Sequence, residues 1–554
     1  MANLQATRTL FAFTSPRTIE KIIPEIDLLH RNFNGRKWNQ ESQCKFFEDL
    51  FNSDFYEGHN KPKDMSFAAR DRITRAPKAL GFIDLKPTIN LTEQGEQLIK
   101  YPNWVSETIT KQLLKFQLPS PYHKTPTLFF VKPYLELLRL IKESESLSKI
   151  EMALFFTQLT HFNKFDEIVQ MIRTFRLNML IFKGNRKTYI EQCFKEQILK
   201  IYQDDIENLN IKTRESANIS LQKFIKTKQN NLIDYADAFL RYIRATQLVT
   251  FNKSFRAIIS PSKIEDVEFI LSNISKEPIV FESETLFKQY LFSKDSLKLL
   301  TDQRDLIIQK LSKFNVQSSK QDSLEKLKSI LEEHEKKIKQ NIILETTKSL
   351  KGYKELNDII DIFQKISTRD VPDPPLYLEW NVWRALVMLN YAQEITGNFT
   401  VDLDGIPLCT ARGNIPDIEL EYDDFKMIVE VTISTGNKQY EMEGEPVPRH
   451  FGNVQLKSEK PVYCLFIAPK ISEGTLAHFF NLNKMNTRRY GGKTRIIPFT
   501  QKQFVEFIKI AQNKNFNSSK QLQNYFEHLL SENFKAEDEV AWFQCIENSL
   551  KTWL

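Results

Sequence analysis

The chain of 554 residues carries 77 lysines and arginines against 70 aspartates and glutamates, and 41% of its residues are hydrophobic. This length predicts about three or four domains, and 42 phenylalanines with 17 tyrosines exclude a globally disordered chain. No apolar run approaches the roughly 18 residues that span a bilayer, and the first residues do not resemble a secretory signal. Five dispersed cysteines without a CxxC pair argue against a zinc site or a disulfide framework. We therefore expect a cytoplasmic protein with no membrane segment.

The first informative segment covers residues 66–99. Its pattern predicts a helix from the N-cap Ser66 to Arg75, which Pro77 then interrupts or restarts. Two short strands follow in GFID and TINLT, and Thr92 caps another helix. Helix, strand, turn and strand follow one another in the order of a winged helix, which favours DNA binding.

Positive charge is concentrated in the first part of the chain. Residues 1–150 contain 22 basic and 17 acidic residues, whereas residues 402–445 are rich in carboxylates. A basic region and an acidic region suit a DNA-binding part joined to a metal-binding part, although ordinary variation of surface charge is the alternative. The candidate DNA-contacting cations on the first helix and its continuation are Arg70, Arg72, Arg75 and Lys78.

A similar unit occupies residues 235–263. The helix YADAFLRYIRATQ has one apolar face, and two strands, LVTFN and FRAIIS, follow it. We expect Arg241 and Arg244 to lie away from the apolar face and to be further candidates for DNA contact. Two such units favour DNA binding, but a scaffold or protein-contact role remains open for either.

The rest of the chain divides into a helical segment and a mixed one. Residues 305–366 contain no proline and carry charges of both signs at i,i+4 spacing, which predicts a helical hairpin or connector. Prolines at 372, 374 and 375 mark a boundary. A helix at residues 379–393 is followed by strands in NIPDIELEY, FKMIVEVTI, YCLFIAPK and TRIIPFT, with helices at GTLAHFFNL and QKQFVEFIKIAQ. This alternation predicts a compact α/β domain.

Two carboxylates in the mixed part are the strongest local signal for chemistry. Asp417 opens one predicted strand, a turn reverses the chain, and Glu430 lies near the end of the next strand, so a hairpin brings the two together. Neighbouring carboxylates repel each other unless a cation lies between them, and hard oxygen ligands suit Mg²⁺. A solvated edge hairpin is the alternative. The apolar run IVEVTI around Glu430 argues against it, because a buried charge needs a partner or a metal.

These residues resemble a known family. Asp417 followed by Glu430, Val431 and Thr432 is similar to the core of the PD-(D/E)XK nucleases, with Thr432 where that superfamily usually has lysine, which leaves the general base open. The longer run GNIPDIELEYDDFKMIVEVTISTGNKQYEMEGEPVPRH resembles the AlwI family of type IIS restriction endonucleases, which includes site-specific nicking endonucleases. SFAARDRITRAPKALGF, PVYCLFIAP and TRIIPFTQKQF also resemble that family, so the resemblance spans nearly the whole chain.

The resemblance implies five positions in the site. Asp417 and Glu430 match the metal-binding carboxylates, and the backbone carbonyl of Val431 matches a further metal ligand. Glu443 matches an acidic residue beyond the second strand, and Glu379 matches the acid on the helix that precedes the core.

Three polar residues near this set are weaker candidates. Gln439 and Lys438 could supply the polar or cationic group that Thr432 does not, although a solvated loop is the alternative for Lys438. His450 could act as an acid or base, contact phosphate together with Arg449, or satisfy a buried turn.

The resemblance also implies the architecture. We expect a multidomain protein with mainly α N-terminal recognition modules of the winged-helix type, a helical linker and a C-terminal α/β PD-(D/E)XK nuclease domain. The expected domains are residues 1–120 with the first unit, residues 121–304 with the second unit, residues 305–366 as linker, and residues 367–554 as endonuclease.

The function implied is that of a bacterial type IIS restriction endonuclease. It would bind a short asymmetric double-stranded DNA site and, with Mg²⁺, hydrolyse phosphodiester bonds a few base pairs outside it. Since the chain has one carboxylate set, cutting both strands requires a transient homodimer or a small catalytic subunit. A strand-specific nicking endonuclease or the large subunit of a heterodimeric enzyme is the alternative.

Two further classes of function compete with this hypothesis. One is a transcription regulator with a degenerate nuclease-like domain, against which the complete carboxylate set argues. The other is a DNA-binding partner that only positions a separate catalytic subunit. Metal-dependent cleavage by the purified chain alone would distinguish the endonuclease from both.

Overall fold

The protein is mostly helical, with small β-sheets, and 59% of it is helix. The computed structural model describes residues 4–16, 18–53, 55–56, 61–212, 219–389, 391–411, 413–514, 516 and 518–553. The chain divides into two compact units, residues 1–53 with 61–337 and residues 54–60 with 338–554. Among the described residues, no helix is both long and apolar enough to cross a membrane.

The first unit consists of helices and two short hairpins. Its helices are α1 (Ile22–Phe33), α2 (Gln40–Phe51), α3 (Met65–Ile73), α4 (Ala76–Ala79), α5 (Glu93–Lys100), α6 (Val105–Lys115), α7 (Pro133–Glu143), α8 (Lys149–Leu154), α9 (Phe165–Ile181), α10 (Arg186–Ile201), α11 (Gln203–Glu207), α12 (Leu221–Arg244), α13 (Ile264–Asn273), α14 (Glu284–Phe292) and α15 (Arg304–Lys313). The division between the two units falls within the next helix, α16 (Leu324–Leu350). Its hairpins are β1 (Ile83–Asp84) with β2 (Asn90–Leu91) and β3 (Val249–Phe251) with β4 (Ala257–Ile259).

The second unit is a mixed sheet with helices on it. Its strands are β5 (Glu394–Gly397), β6 (Thr400–Val401), β7 (Pro407–Cys409), β8 (Ile418–Glu421), β9 (Lys426–Val431), β10 (Val462–Ala468) and β11 (Ile496–Thr500). Its helices are α17 (Leu356–Thr368), α18 (Pro374–Leu389), α19 (Asn437–Glu443), α20 (Pro446–Gln455), α21 (Glu473–Lys484), α22 (Gln501–Asn513), α23 (Ser519–Lys535) and α24 (Glu539–Ser549).

The first predicted module has the expected order of a helix, a restarted helix, two antiparallel strands and a further helix. Its predicted N-cap is wrong: Asp64 accepts the hydrogen bond from the N–H of Phe67, whereas Ser66 lies buried inside α3. Thr92 caps α5 as predicted and accepts a hydrogen bond from the N–H of Gly95 at 3.1 Å. The helix-plus-hairpin order is present, and the winged-helix assignment stays a prediction.

The second module has a longer helix than predicted. The 24-residue α12 precedes the antiparallel pair β3 and β4. The expectation that Arg244 lies away from the apolar face is wrong, because this side chain is buried with its guanidinium 4.7 Å from the ring centroid of Phe251. The aromatic face and the nearby Thr250 hydroxyl at 3.2 Å satisfy the cation there.

The predicted helical connector is interrupted. Instead of one hairpin, residues 305–366 contain most of α15, all of α16 and most of α17, with non-helical segments at 314–323 and 351–355. The i,i+4 charge spacing is accompanied by surface pairs such as Lys326 with Asp322 and Lys337 with Glu333.

Four charged side chains are buried together where the first half of α16 packs in the first unit. Lys328 contacts Glu107 and, at 2.7 Å, Asp302. Lys111 contacts the same two carboxylates, at 3.2 Å and 2.8 Å. Two cations thus balance two anions largely away from water, and removing one cation leaves two carboxylates to share the other.

We expect Lys328→Met to lower the free energy of unfolding of the first unit by about 2 kcal/mol, because the carboxylates keep their desolvation cost and lose half of their cations. Denaturant unfolding measures this change. The matched control is Lys326→Met on the same helix, whose side chain is 64% exposed and pairs with Asp322. The control should change stability by less than about 0.5 kcal/mol. Equal effects of the two substitutions would contradict the assignment of the buried cluster.

The main sheet of the second unit has five strands in the order β11-β10-β9-β8-β5. The pairs β11–β10 and β10–β9 are parallel, and the pairs β9–β8 and β8–β5 are antiparallel. The inner strand β10, VYCLFIA, lies between β11 and β9 and is buried along its whole length, as a strand covered on both faces must be. The predicted strands near NIPDIELEY, FKMIVEVTI, YCLFIAPK and TRIIPFT are therefore present.

The core of the second unit lies on both faces of this sheet. One cluster packs the sheet against α20 and α21, and its buried members are Ile428, Val447, Phe451, Val462, Cys464, Phe466, Ala468, Phe479 and Ile496. α18 and α22 also contact the sheet, and α18 is buried from Leu376 to Leu389 apart from one intermediate position, Trp380. α18 is thus enclosed by the rest of the unit although it carries three polar side chains, Glu379, Asn381 and Arg384.

Candidate active site

The register of the β8–β9 hairpin sets Asp417 and Glu430 opposite each other. Ile418 pairs with Val429, so the next position outward aligns Asp417 with Glu430. The Oδ2 atom of Asp417 accepts a hydrogen bond from the N–H of Val431 at 2.7 Å, which ties the start of β8 to the end of β9. Directly opposed residues of an antiparallel pair have their Cβ atoms about 5 Å apart, so the two carboxylates share one small volume.

Two helices bring further carboxylates to this hairpin. Glu379 lies on the buried α18 and accepts a hydrogen bond from the N–H of Ala411 at 3.0 Å. Glu443 ends α19 and accepts a hydrogen bond from the Thr432 side chain. Four acids from a hairpin and two helices thus meet at the end of the sheet.

The four carboxyl groups of this site are buried close together, and the nearby positive charge does not compensate for them. Burial raises the pKa of Asp417 and of Glu379 well above the usual range, and each is raised further by a neighbouring carboxylate. Burial and then Glu443 and Glu379 raise the pKa of Glu430, while Arg449 offsets a part of this rise. Burial also raises the pKa of Glu443. The arrangement would therefore be stabilised by an additional positive charge.

His450, on α20, touches the site directly. Its Nδ1 atom lies 2.8 Å from Oε1 of Glu430, and its Nε2 atom is buried without a hydrogen-bond partner. Burial, and then Arg449, lower the pKa of His450 to about 4, so the ring is neutral at neutral pH. A neutral imidazole that donates from Nδ1 fixes the orientation of the Glu430 carboxylate.

The donor set fits a hard divalent cation. Carboxylate oxygens of Asp417 and Glu430 and the backbone carbonyl of Val431 are the kinds of ligand that Mg²⁺ takes, and it usually keeps waters or substrate phosphate for the other positions. Within the described part of the chain there is no group of three or more His, Cys, Asp or Glu side chains that could hold a metal ion. The fit therefore rests on two carboxylates and a backbone oxygen rather than on a cage of side chains.

Thr432 directly follows β9 and is hydrogen-bonded within the site. Thr432 is buried, and its hydroxyl accepts a hydrogen bond from the N–H of Ser434 at 3.1 Å besides its bond to Glu443. Gln439 is fully buried, and its amide group bonds backbone groups of three neighbouring loop residues. Lys438 is exposed on α19. Gln439 thus has a structural role, because both the nitrogen and the oxygen of its amide are hydrogen-bonded to backbone groups.

The cations predicted on the first module are mostly engaged within the protein. Arg72 forms an ion pair with the buried Glu25, and Arg75 pairs with Asp71 one turn earlier. The Arg70 guanidinium donates to the Gln43 side chain at 2.9 Å.

Lys78 and the cations of the second module are also in contact with protein groups. Lys78 lies on α4, 4.4 Å from the ring centroid of Tyr122, and burial lowers its pKa. Arg241 pairs with Asp237 one turn earlier on α12, and Arg244 is buried. Among the six candidates, Arg70 and Arg75 keep the largest exposure and are free to change partner at the surface.

A family model and two solved structures resemble the chain. The model of the AlwI restriction endonuclease family matches residues 78–507, which is most of the chain. The small subunit of the heterodimeric restriction endonuclease R.BspD6I is 26% identical, with a TM-score of 0.31 over 35% of this chain and 100% of that one. The DNA-binding domain of the BpuJ1 endonuclease, solved with modified DNA, is 13% identical, with a TM-score of 0.31 over 51% of this chain and 95% of that one. Among curated proteins, no match was found.

Proposed function

Since the chain belongs to the AlwI restriction endonuclease family, a family of site-specific nucleases, we propose that it is a type IIS enzyme that uses Mg²⁺. It binds a short asymmetric duplex site and hydrolyses phosphodiester bonds a few base pairs to one side. Recognition lies in residues 1–120 and 121–304, cleavage in residues 367–554, and residues 305–366 connect them.

The observation that carries this proposal is the meeting of four carboxylates at the end of the β8–β9 hairpin. Asp417 and Glu430 are opposite each other in the hairpin register, and the pKa of each is raised by burial and by neighbouring acids. Such a concentration of negative charge by itself repels the phosphates of DNA. A divalent cation would neutralise this charge and could bridge the carboxylates to a phosphate.

The residues of the chain divide the work as follows. Asp417, Glu430 and the carbonyl oxygen of Val431 would hold Mg²⁺, which, when bound, stabilises charge on the phosphate and makes a bound water more acidic. Val431 N–H and His450 fix the orientations of Asp417 and Glu430. Glu443 would accept a proton from the attacking water or orient it, and the rise of its pKa through burial supports a role as a base.

DNA recognition in this proposal depends on residues of the first unit. Arginine reads guanine in the major groove through two parallel hydrogen bonds, whereas contacts to phosphates give affinity without sequence preference. Arg70 and Arg75 are the proposed base or backbone contacts, since they are exposed on or next to α3. Arg72, Lys78, Arg241 and Arg244 would then act mainly through the contacts that they make within the protein.

Within this proposed function, the enzyme could cut one strand of the DNA or both. The carboxylate set at Asp417 and Glu430 is the one that the described residues bring together in this way, and one set faces one scissile phosphate. The strands of a duplex are antiparallel, so a bound monomer cuts one strand readily and the second strand requires another catalytic unit. We propose double-strand cleavage through transient association of two chains. A nicking endonuclease, or a large subunit that works with a small catalytic subunit, is the second candidate.

A titration of supercoiled plasmid with enzyme tests both the Mg²⁺-dependent cleavage and the number of strands cut. With Mg²⁺, the purified chain should first produce open-circular plasmid at a rate proportional to bound enzyme, and linear product should rise more steeply with enzyme concentration. Omission of Mg²⁺ or addition of EDTA should stop both products. Accumulation of open-circular plasmid without linear product at any concentration would favour the nicking candidate. Linear product could instead appear without an open-circular precursor, at a rate independent of enzyme concentration once all DNA sites are filled. That result would refute the argument that one catalytic site cuts one strand at a time. The absence of any cleavage would refute the proposed endonuclease activity.

A further inference from the structure

A short basic loop follows α21 in the second unit. Residues 485–495, MNTRRYGGKTR, contain four cations and no acid. The backbone of Thr487 and Gly492 exchanges two hydrogen bonds, at 3.0 Å and 2.8 Å, and so closes the tight turn between them. Gly491 and Gly492 have φ angles of +72° and +119°, which side-chain-bearing residues rarely adopt. The turn is therefore a defined structure rather than a loose connection.

The loop is held against α20. The side-chain amide of Gln455 donates to the carbonyl oxygens of Tyr490 at 2.9 Å and Gly491 at 3.0 Å, and Arg495 bonds the carbonyl of the same amide at 2.8 Å. The contact is close because α20 has glycine at position 452. A Cβ atom on Gly452 would lie 2.8 Å from the Cα atom of Tyr490, which no ordinary contact allows.

An ion-pair chain connects this loop with the carboxylate site. Arg489 of the loop and Arg449 of α20 both bind the carboxylate of Glu445. Arg449 also donates to the side chain of Asn414, three residues before Asp417. The next residue of α20 is His450, which contacts Glu430. The loop thus lies along the same helix that borders the site.

The exposed cations of the loop face solvent. The side chain of Arg489 is 66% exposed and Arg449 is 28% exposed although both contact Glu445, so the group of three carries a net positive charge at the surface. Arg488 is exposed, and the described residues give it no ion pair. Arg488, Arg489 and Arg449 thus group three cations near the carboxylate site, and such a group suits the phosphates of a nucleic-acid strand.

We propose that the Thr487–Gly492 loop, with Arg449, binds the DNA backbone next to the scissile phosphate and positions the cut strand in the nuclease unit. This inference rests on the proposed function, since it names a substrate contact of that same site. Because arginine contacts to phosphate are independent of base sequence, the loop should add affinity and alignment but no sequence preference.

The test compares the full-length chain with R488A/R489A, R488K/R489K and K509A. Lys509, exposed on α22, is the control for the loss of a single cation elsewhere in the same unit. Binding is measured without Mg²⁺ on a short duplex of arbitrary sequence over a series of salt concentrations. Each lost phosphate contact should lower the slope of log affinity against log salt by about 0.9, so R488A/R489A should lose about one to two units of slope. R488K/R489K should keep the wild-type slope, and so should K509A.

Three results would overturn the proposal. The first is an unchanged salt slope in R488A/R489A, and the second is an equal loss of slope in K509A. The third is a loss of slope in R488K/R489K as large as in the alanine variant, because lysine keeps the charge and the effect would then come from packing. Plasmid cleavage with Mg²⁺ is followed in parallel. Wild-type protein that fails to cut, while the slopes change as expected, would refute the proposed function and leave the DNA contact of the loop standing.

Discussion

Asp417→Asn is expected to lower DNA cleavage at least about a thousandfold and to leave DNA binding intact. The substitution removes a negative oxygen from the site, and several kcal/mol of charge stabilisation in the transition state depend on the cation that this oxygen would hold. Asn keeps an oxygen that can accept the hydrogen bond from Val431 N–H, so the hairpin is retained. The measurements are single-turnover cleavage of plasmid DNA and a binding assay without metal.

The stability of the same variant gives an independent check. Burial and the neighbouring Glu430 raise the pKa of Asp417, which means that the folded protein disfavours its charged form. Replacing it by a neutral isostere should therefore leave the denaturant midpoint unchanged or raise it. Glu441→Gln is the control, because Glu441 is exposed on α19, two residues before Glu443. Wild-type cleavage by Asp417→Asn would refute the site, and a large loss in Glu441→Gln would show that any acid nearby has the same effect.

His450→Ala should lower cleavage by about 10-fold to 100-fold, the usual effect of removing a partner that orients a metal ligand. Without the ring, Glu430 loses the group 2.8 Å from its Oε1 atom and can adopt other orientations. We therefore expect the Mg²⁺ concentration for half-maximal cleavage to rise, while metal-free DNA binding stays as in the wild type. His450→Asn, which retains a donor on a shorter side chain, should recover part of the loss.

The dependence on metal concentration separates positioning from folding. His450 is a buried residue among apolar neighbours on α20, so alanine also leaves a cavity and should lower the denaturant midpoint. A purely structural residue would reduce the amount of active protein at every Mg²⁺ concentration and would leave the half-maximal concentration unchanged. That result, or equal activity of the alanine and asparagine variants, would contradict the role of positioning residue.

The hairpin at the site could be predicted from the sequence because its signals are local. Alternating and continuous apolar runs, a turn with two adjacent acids and the spacing between Asp417 and Glu430 predict two paired strands with the acids at one end. The structure has these strands as β8 and β9, in the register that sets the two acids opposite each other.

The helices beside the hairpin could not be predicted in the same way. The run EGEPVPRH has a glycine and two prolines, which favour a loop. In the structure, Pro446 and Pro448 stand at the first and third positions of α20, where the N–H that proline lacks has no helical partner anyway. That helix brings Arg449 and His450 to the site, so their contacts with Glu445 and Glu430 appear only with the fold.

The charges of the first unit show a second limit of sequence reasoning. Arginines on a predicted recognition helix suggest DNA contact, but the helical pattern does not show which of them are engaged by other segments of the protein. Arg72 pairs with Glu25, which is 47 residues earlier, and Arg244 is covered by the ring of Phe251 from the following hairpin. Only the packing of helices onto one another shows which cations remain at the surface.

Several hydrogen bonds close the first unit between segments that are synthesised far apart. The side chain of Gln94 donates to the carbonyl of Ser293, 199 residues later, and Lys111 binds Asp302, 191 residues later. A ribosome needs on the order of 10–40 s to make that length of chain. The α5–α6 region therefore lacks these partners until the segment around residues 291–302 has left the ribosome. The first unit consequently completes its fold late in translation, shortly before most of the second unit emerges.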